Sequence, residues 1–375
     1  MPGTAPTSVG WWWHARQAMR PEPVPARFAA GIAVVLDMAA VYLAVRWVLE
    51  AIGHPQQGLT HAVLPALFGG MLAFLGSLGG SVRSGLVRAA LLGAVSLPLT
   101  LLAVAVRDVP VAAGLSLAAA SFGAGWLAWH GAPWASLGTL LLYLYFIPFA
   151  FGAGSSVAFG YLLVGFGVMI VVTLVMRGLV ALVPDRHAPP RAQIETPDPA
   201  PAPRPGFTLL PGPELGRLQR TTIRSALALG VGAFAVSWTG HHNEVWVLMT
   251  LIALVPPAMP LTIDRVLARL VGTAGAMVVL TVIDALVPPG PARLLVLVPG
   301  LVLAVAYLKR SYALSVLGVS VVAVLAYAPV TAPLGEALLW RGLDTGIGAL
   351  IAIGVTLLIP VGRRPHPVWA DEVSR

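Results

Sequence analysis

Long apolar runs alternate with short polar segments along the whole chain, and this pattern predicts transmembrane helices. A helix needs about 17 to 25 mainly apolar residues to cross roughly 30 Å of hydrocarbon. We therefore predict an all-α integral membrane protein with about twelve spans. The predicted spans are 28–49, 59–79, 86–106, 110–129, 135–153, 157–183, 220–239, 243–262, 264–287, 291–308, 311–330 and 338–361.

A proline-rich segment divides these spans into two groups of six. Ten prolines lie between Pro184 and Pro213, and such a composition favours extended polyproline geometry over a packed core. The expected domains are a cytoplasmic tail (1–27), a first six-helix half (28–183), a cytoplasmic linker (184–216), a second six-helix half (217–362) and a cytoplasmic tail (363–375).

The basic residues give an independent prediction of topology. If the N-terminus is cytoplasmic and every predicted span crosses, all but four of the 23 Lys and Arg lie on the cytoplasmic side. Positive charge concentrates on that side in membrane proteins. We therefore expect a multi-pass protein of the cytoplasmic membrane with both termini inside. The exceptions are Arg46, Arg107, Arg293 and Arg341.

Composition excludes several classes of function. The chain is 58% hydrophobic and 10% charged, far below the roughly 25% charge of soluble domains. Its net charge of +8 comes from basic residues that punctuate apolar runs, so no nucleic-acid partner is expected. There is no cysteine, and HExxH, GxxxxGK[ST] and GxSxG motifs are absent. We predict no metal, no cofactor and no enzymatic activity.

The two halves resemble each other in sequence. A shift of 180 residues places Gly138 on Gly318, and a shift of 181 places Arg88 on Arg269. Because each half has an even number of predicted spans, the two would be parallel repeats related by an axis along the membrane normal.

Prolines interrupt the eighth predicted span at Pro256, Pro257 and Pro260, and the repeat places glycines of the second span, Gly76 and Gly79, opposite them. Broken helices survive in a membrane where protein or a water-filled cavity satisfies the freed backbone groups. Paired breaks in two repeats therefore indicate a central binding site. The alternative is an ordinary helix end at the membrane interface.

Two arginines follow this break at the start of the ninth span. Arg265 and Arg269 are four residues apart and share a helical face. Guanidinium groups match carboxylates well, so this face, with Arg88 in the equivalent place of the first half, would attract organic anions. The alternative is anchoring at the cytoplasmic interface by snorkelling side chains.

Three further charged positions lie within predicted spans. Asp37 is near the middle of the first span, where a carboxylate is expensive unless it is paired, protonated or facing a cavity. It is the candidate for proton coupling, with structural hydrogen bonding as the alternative. Asp344 follows Arg341 by three residues, so the two can pair on one face, and we favour a structural ion pair there.

The loop before the eighth span and the aromatic residues offer weaker signals. Glu244 follows two adjacent histidines whose spacing does not suit a metal, and it is a candidate for an outer vestibule or gate. Aromatic residues of the fourth and fifth spans could stack an aromatic substrate or form a lipid-facing belt. These residues are Trp126, Trp129, Trp134, Tyr143, Tyr145 and Phe146.

The second half carries EVWVLMT (244–250), a proline break, DRVLARLVGTAGA (264–276) and RGLDTGIGALIAI (341–353). This pattern resembles the fusaric acid resistance family, which includes aromatic carboxylic acid exporters and is similar to the membrane domain of plant aluminium-activated malate transporters. Larger members carry a soluble domain between their halves, whereas this chain has the proline-rich linker. The resemblance places these residues at motif positions: Trp246, Arg265, Arg269, Gly272, Thr273, Gly275, Arg341, Asp344 and Thr345.

Together, residues and resemblance predict a secondary transporter of the inner membrane that exports aromatic or other organic carboxylic acids with the proton gradient. An organic anion channel and a structural or envelope-assembly protein are the alternatives. The expected partners are the lipid bilayer and a small organic anion. A homodimer and an accessory export protein both remain open.

Overall fold

A computed structural model describes residues 28–53, 66, 82–151, 156–182, 209, 212–239, 245–256, 263–288, 291–308, 310–331 and 334–360. These residues form helices and contain no strand. The helices are α1 (Phe28–Ala51), α2 (Val82–Val106), α3 (Pro110–Ala128), α4 (Ala132–Phe151), α5 (Ser156–Leu182), α6 (Gly212–Thr239), α7 (Val245–Leu254), α8 (Ile263–Leu286), α9 (Pro291–Ala306), α10 (Tyr312–Thr331) and α11 (Leu334–Leu358).

The predicted all-α class is confirmed. Four helices, α1, α3, α8 and α11, are long and apolar enough to cross a membrane by length and composition. The second predicted span, 59–79, lies outside the described residues apart from Ala66, as do the tails and most of the linker. The count of twelve spans and the cytoplasmic placement of both termini stay predictions.

The outer surface of the bundle is apolar. Large hydrophobic side chains are strongly exposed, among them Leu357 at 76%, Leu286 at 75% and Trp238 at 72%. Soluble monomers rarely expose contiguous apolar surface on this scale. Such a surface is stable when hydrocarbon chains, and not water, surround it.

Helix α7 is short because proline follows it. Its ten residues span about 15 Å, roughly half of the hydrocarbon thickness. The helix ends at Leu254, two residues before the buried Pro256, since the residue that precedes a proline is disfavoured in helical geometry. The prediction of an interruption at Pro256 therefore agrees with the end of α7, whereas Pro257 and Pro260 are outside the described residues.

The two halves are joined along an antiparallel seam between α3 and α6. The hydroxyls of Ser121 and Ser225 are 2.8 Å apart in the middle of this seam. At one end, the indole Nε1 of Trp129 donates a hydrogen bond of 3.1 Å to the hydroxyl of Thr222. Interhelical hydrogen bonds of this kind contribute modestly to association in lipid, and they fix the register of the two halves.

Helix pairings within one half have counterparts in the other. Helix α3 packs on α4 as α9 packs on α10, and α2 packs on α4 as α8 packs on α10. Likewise, α1 packs on α5 as α6 packs on α11. Across the halves, α3 packs on α6 and α9 packs on α1.

Glycines allow close approach at two of these matched pairings. A Cβ on Gly138 of α4 would collide with the backbone of Ala124 on α3. A Cβ on Gly318 of α10 would collide with the backbone of Ala304 on α9. Gly138 and Gly318 are 180 residues apart, and so are Ala124 and Ala304. The same close contact therefore occurs once in each half, at the offset found in the sequence.

Replacing Gly318 with alanine is expected to destabilise the protein. The added methyl group would meet backbone atoms of Gly300 and Ala304, which cannot rotate away, and overpacking typically costs about 1 to 3 kcal/mol. Gly346→Ala on α11 is the matched control, because a Cβ there meets no described atom within 4 Å. Denaturant unfolding in detergent measures both, and equal stabilities would contradict the close contact.

Candidate functional site

Three arginines converge inside the second half. Arg265 and Arg269 lie one turn apart on α8, and Arg341 lies on α11. Arg269 and Arg341 are buried, with 4% and 1% of their surface exposed, whereas Arg265 is half-buried. Arg269 is near enough to Arg341 to act on it electrostatically. We call these three residues the arginine cluster.

Aromatic rings from two other helices contact the cluster. The guanidinium of Arg341 lies 4.5 Å from the ring centroid of Trp246 on α7. The guanidinium of Arg265 lies 5.0 Å from the ring centroid of Tyr312 at the start of α10. A cation over an aromatic face is attracted by the ring quadrupole. The rings therefore stabilise the buried cations without neutralising their charge.

Hydrogen bonds hold two of the guanidinium groups in place. Nη2 of Arg341 donates a bond of 3.2 Å to the hydroxyl of Ser320 on α10, and Nη2 of Arg269 lies 3.5 Å from the carbonyl oxygen of Met249 on α7. Tyr312 and Ser320 are eight residues apart on α10, about 12 Å along the helix. Arg265 contacts Tyr312 and Arg341 contacts Ser320. The cluster therefore extends along α10 from its start towards its middle.

Positive charge exceeds negative charge in the buried part of the cluster. Asp344, which is buried on α11, acts electrostatically on Arg341, so the buried charged groups here are one carboxylate and two guanidiniums. Burying an uncompensated charge is costly. Donors remain available here, because several buried polar atoms have no hydrogen-bond partner among the described residues: Nε of Arg269, Nε and Nη1 of Arg341, and the hydroxyls of Thr250, Thr273 and Tyr312.

Two glycines, one in each of the motifs 264–276 and 341–353, allow neighbouring helices to approach the arginines closely. Gly272 lies against the carbonyl oxygen of Ala313 and the side chain of Val316, so α10 approaches α8 closely there. Gly348 lies against Thr250, whose Cβ would be 2.8 Å from an added Cβ, so α7 approaches α11 closely. Each motif therefore combines an arginine with the glycine that allows a neighbouring helix to reach it.

The structure brings together most of the site residues that we predicted in the second half. Trp246, Arg269, Thr273, Arg341 and Asp344 are all buried within this group. The hydroxyl of Thr345 bonds the carbonyl oxygen of Arg341 at 2.8 Å on its own helix. Glu244, Pro257, Pro260, Gly76 and Gly79 lie outside the described residues, and the side chain of Arg88 is also outside them.

Sequence analysis missed the contributions of α10. Tyr312 and Ser320 were not predicted as site residues, although both contact an arginine of the cluster. Their signal was weak, because single serines and tyrosines are common in membrane helices. The serines at 311, 315 and 320, four and five residues apart in a mainly apolar segment, were the one available indication of a buried polar face.

Asp37 lies apart from the arginine cluster, on α1. Its side chain is completely buried, and Thr173 of α5 is near enough to act on it. Neither carboxylate oxygen has a hydrogen-bond partner of good geometry within the described part of the chain. A carboxylate in this position is stable if it is protonated or if a mobile cation visits it.

Metal binding has no support among the described residues, which contain no group of three or more His, Asp or Glu side chains able to share an ion. The arginine cluster consists mainly of hydrogen-bond donors. Donors of this kind can hydrogen-bond an anion.

Replacing Asp344 with asparagine is expected to destabilise the fold strongly. The change keeps the shape of the side chain but removes the buried negative charge that acts on Arg341, and leaving a buried charge uncompensated costs about 3 to 5 kcal/mol.

The matched control is Asp284→Asn, because Asp284 pairs with Arg293 at 2.6 Å in an exposed position. Exposed pairs contribute about 0 to 1 kcal/mol. Denaturant titration in detergent measures both variants, and similar losses for the two would contradict the buried charge balance.

One comparison with known protein families matches the part of the chain that contains this site. Residues 230–355, about a third of the chain, match the model of a family described as fusaric acid resistance protein-like. No curated protein and no solved structure matches the chain. The matched segment contains the whole arginine cluster and its aromatic contacts.

The family consists of membrane transporters. The membrane-length helices and the family together indicate a multi-pass membrane protein with a transport or resistance-related function. Over residues 230–355, the second half of this chain is similar to the fusaric acid resistance protein-like family.

Proposed function

We propose that the chain is a secondary transporter of the cytoplasmic membrane that exports aromatic or other organic carboxylic acids with the proton gradient. The arginine cluster is the substrate site in this proposal, and Asp37 couples transport to protons. The observation that carries the proposal is the excess of buried guanidinium groups with free donors inside an apolar bundle.

The charge balance favours a substrate with one carboxylate. Arg269, Arg341 and Asp344 are buried, and their formal charges leave about one unit of positive charge among these three groups. A guanidinium fork binds a carboxylate with two parallel hydrogen bonds. The rings of Trp246 and Tyr312 beside the arginines offer flat apolar surface for the rest of an aromatic acid.

Asp37 supports coupling to protons. A fully buried carboxylate without a described hydrogen bond is stable in its protonated form, and it becomes costly when it ionises. Proton release from Asp37 on one side of the membrane would thus raise the free energy of the conformation that keeps the ionised carboxylate buried. A passive anion channel does not couple flux to proton binding and needs no such carboxylate. Asp37 therefore favours the transporter over the channel.

Repeated helix pairing supports movement of two similar halves about a central site. The matched pairings and the paired contacts of Gly138 and Gly318 are what two parallel repeats would produce. Transporters of this design move one half against the other around a site near the middle of the membrane. The cluster is complete within one chain, so a homodimer or an accessory export protein would extend the pathway without forming the site.

Replacing Arg341 with glutamine is expected to lower transport at least about tenfold. A hydrogen bond to a charged group contributes about 1.5 to 3 kcal/mol, and glutamine removes the charge while it keeps an amide donor. Uptake of radiolabelled benzoate into inverted vesicles measures the effect. Arg293→Gln is the control, because Arg293 pairs with the exposed Asp284. Undiminished uptake by Arg341→Gln would refute the site.

Replacing Asp37 with asparagine is expected to abolish gradient-driven uptake and to preserve exchange of labelled for unlabelled benzoate. Asparagine cannot carry the proton, but it leaves substrate binding unchanged. The assay compares inverted vesicles with and without an imposed proton gradient, and Asp284→Asn serves as control. Full gradient-driven uptake by Asp37→Asn would refute the coupling role.

The same vesicle assay decides between the proposal and its alternatives. Concentrative uptake that collapses with the gradient supports an exporter. Saturable flux that is independent of the proton gradient indicates an anion channel. Absence of flux for a broad panel of carboxylates, with normal membrane insertion, indicates a structural or envelope-assembly role.

A further inference from the structure

An apolar groove runs along the seam between α3 and α6, on the outer surface of the bundle. Its volume is about 590 Å³, and its lining consists of apolar side chains and glycines. A second hollow continues it along α3 as far as Trp126. All the lining residues come from these two helices. Because the seam joins the two halves, a molecule in the groove would contact both halves at once.

Glycines set the depth of the groove, and large side chains form its walls. The two backbones are close, because a Cβ on Gly114 would lie 3.0 Å from the carbonyl oxygen of Gly230. Exposed walls rise from both helices, with Leu115 at 67% and Phe122 at 43% on α3 and Leu227 at 42% on α6. The groove is therefore a depression between ridges of apolar side chains, which hydrocarbon can fill.

The length of the groove suits one lipid chain. Val111 and Trp126 mark its two ends on α3, and the fifteen residues between these positions rise about 22 Å. One leaflet supplies about 15 Å of hydrocarbon, half of the roughly 30 Å core. An acyl chain that enters from one leaflet can therefore lie in the groove over its whole length.

One end of the groove is basic. Arg220 is exposed on α6 and lies three residues before the lining residue Ile223, on the same face of the helix. No ion pair joins Arg220 to any described residue. The indole of Trp129 bonds Thr222 at 3.1 Å, so this end of α6 meets the end of α3 that carries the exposed Trp126. Tryptophan and arginine together are typical of the membrane interface.

The opposite end has no excess of positive charge among the described residues. Arg107 lies just before α3 and pairs with the exposed Asp108 at 3.6 Å. Ser237 of α6 donates a hydrogen bond of 2.6 Å to the carbonyl oxygen of Arg107, which places this pair at the Val111 end. An anionic headgroup is thus favoured at the Arg220 end alone. The predicted topology places that end on the cytoplasmic side, where anionic lipids attract basic residues.

We propose that the groove binds one anionic phospholipid, whose acyl chain lies along the seam of α3 and α6 and whose phosphate accepts hydrogen bonds from Arg220. A guanidinium offers a planar fork of donors that matches phosphate oxygens, and its long stem lets the charge reach the headgroup region. This lipid site is separate from the arginine cluster, so it does not depend on the proposed transport activity.

The test compares two lipids that differ in the charge of the headgroup. Dioleoyl phosphatidylglycerol is anionic, whereas dioleoyl phosphatidylethanolamine has the same chains and no net charge. Native mass spectrometry of the full chain, released from detergent, gives the Kd of the first bound lipid of each kind. We expect the wild type to bind the anionic lipid about tenfold more tightly, because the bond to Arg220 is between two charged groups.

Two variants separate the headgroup from the chain. Arg220→Gln is expected to raise the Kd for phosphatidylglycerol about tenfold and to leave that for phosphatidylethanolamine unchanged. Ala226→Phe is expected to weaken both lipids by a similar factor, because Ala226 lines both hollows and a ring there would fill them. Arg310→Gln is the first control, since Arg310 follows α9, which does not line the groove. Ala235→Phe is the second, since Ala235 is exposed on α6 outside the lining.

Each other outcome is decisive. Equal affinity of the wild type for the two lipids overturns the inference, and so does an unchanged Kd in Arg220→Gln or in a folded Ala226→Phe. Equal effects of a variant and its control also overturn it. If Ala226→Phe does not fold, Arg220→Gln and its control decide the question. A wild-type dimer that Ala226→Phe dissociates would assign the groove to a second copy of the chain, and the lipid site would be wrong.

Discussion

Burial of guanidinium groups inside an apolar bundle is the constraint on which the second half depends. Arginine cannot lose its proton in a protein, so Arg269 and Arg341 stay charged where hydrocarbon surrounds the helices. The structure compensates them with Asp344, the ring of Trp246, the hydroxyl of Ser320 and a backbone carbonyl. These groups come from three helices, α7, α10 and α11, and the arginines therefore constrain how those helices pack on α8.

In the motifs 264–276 and 341–353, a glycine that allows close helix packing accompanies a charged arginine. Gly272 and Gly348 admit neighbouring helices, and without that approach the partners on α7 and α10 would be too far from the arginines to contact them. Small residues at helix interfaces are the usual means of association in lipid, where no hydrophobic force drives it. In this protein the same small residues also position the polar contacts of the site.

The compensation remains incomplete, and the proposed function rests on this incompleteness. A purely structural arginine would have its donors satisfied by protein. Several donors of the cluster lack described partners, and the carboxylate of Asp37 in the first half lacks them as well. The cluster thus presents several donors, and Asp37 presents an acceptor. An anion and a proton are the mobile species that would satisfy them, which relates the two sites chemically although they lie on different helices.

The sequence by itself determined the helical class, the positions of most helices, the interruption at Pro256 and the family motifs. Each follows from local rules: apolar length, the geometry that proline forbids, and residue identity at short spacing. The convergence of Arg341 with Arg269 was decided by tertiary structure, as were the contacts of Tyr312 and Ser320. These residues lie on three helices, and periodicity shows which face of a helix is polar without showing which helix will face it. The sequence favoured a local ion pair between Arg341 and Asp344, whereas the packing of α8, α10 and α11 made both residues part of a larger cluster.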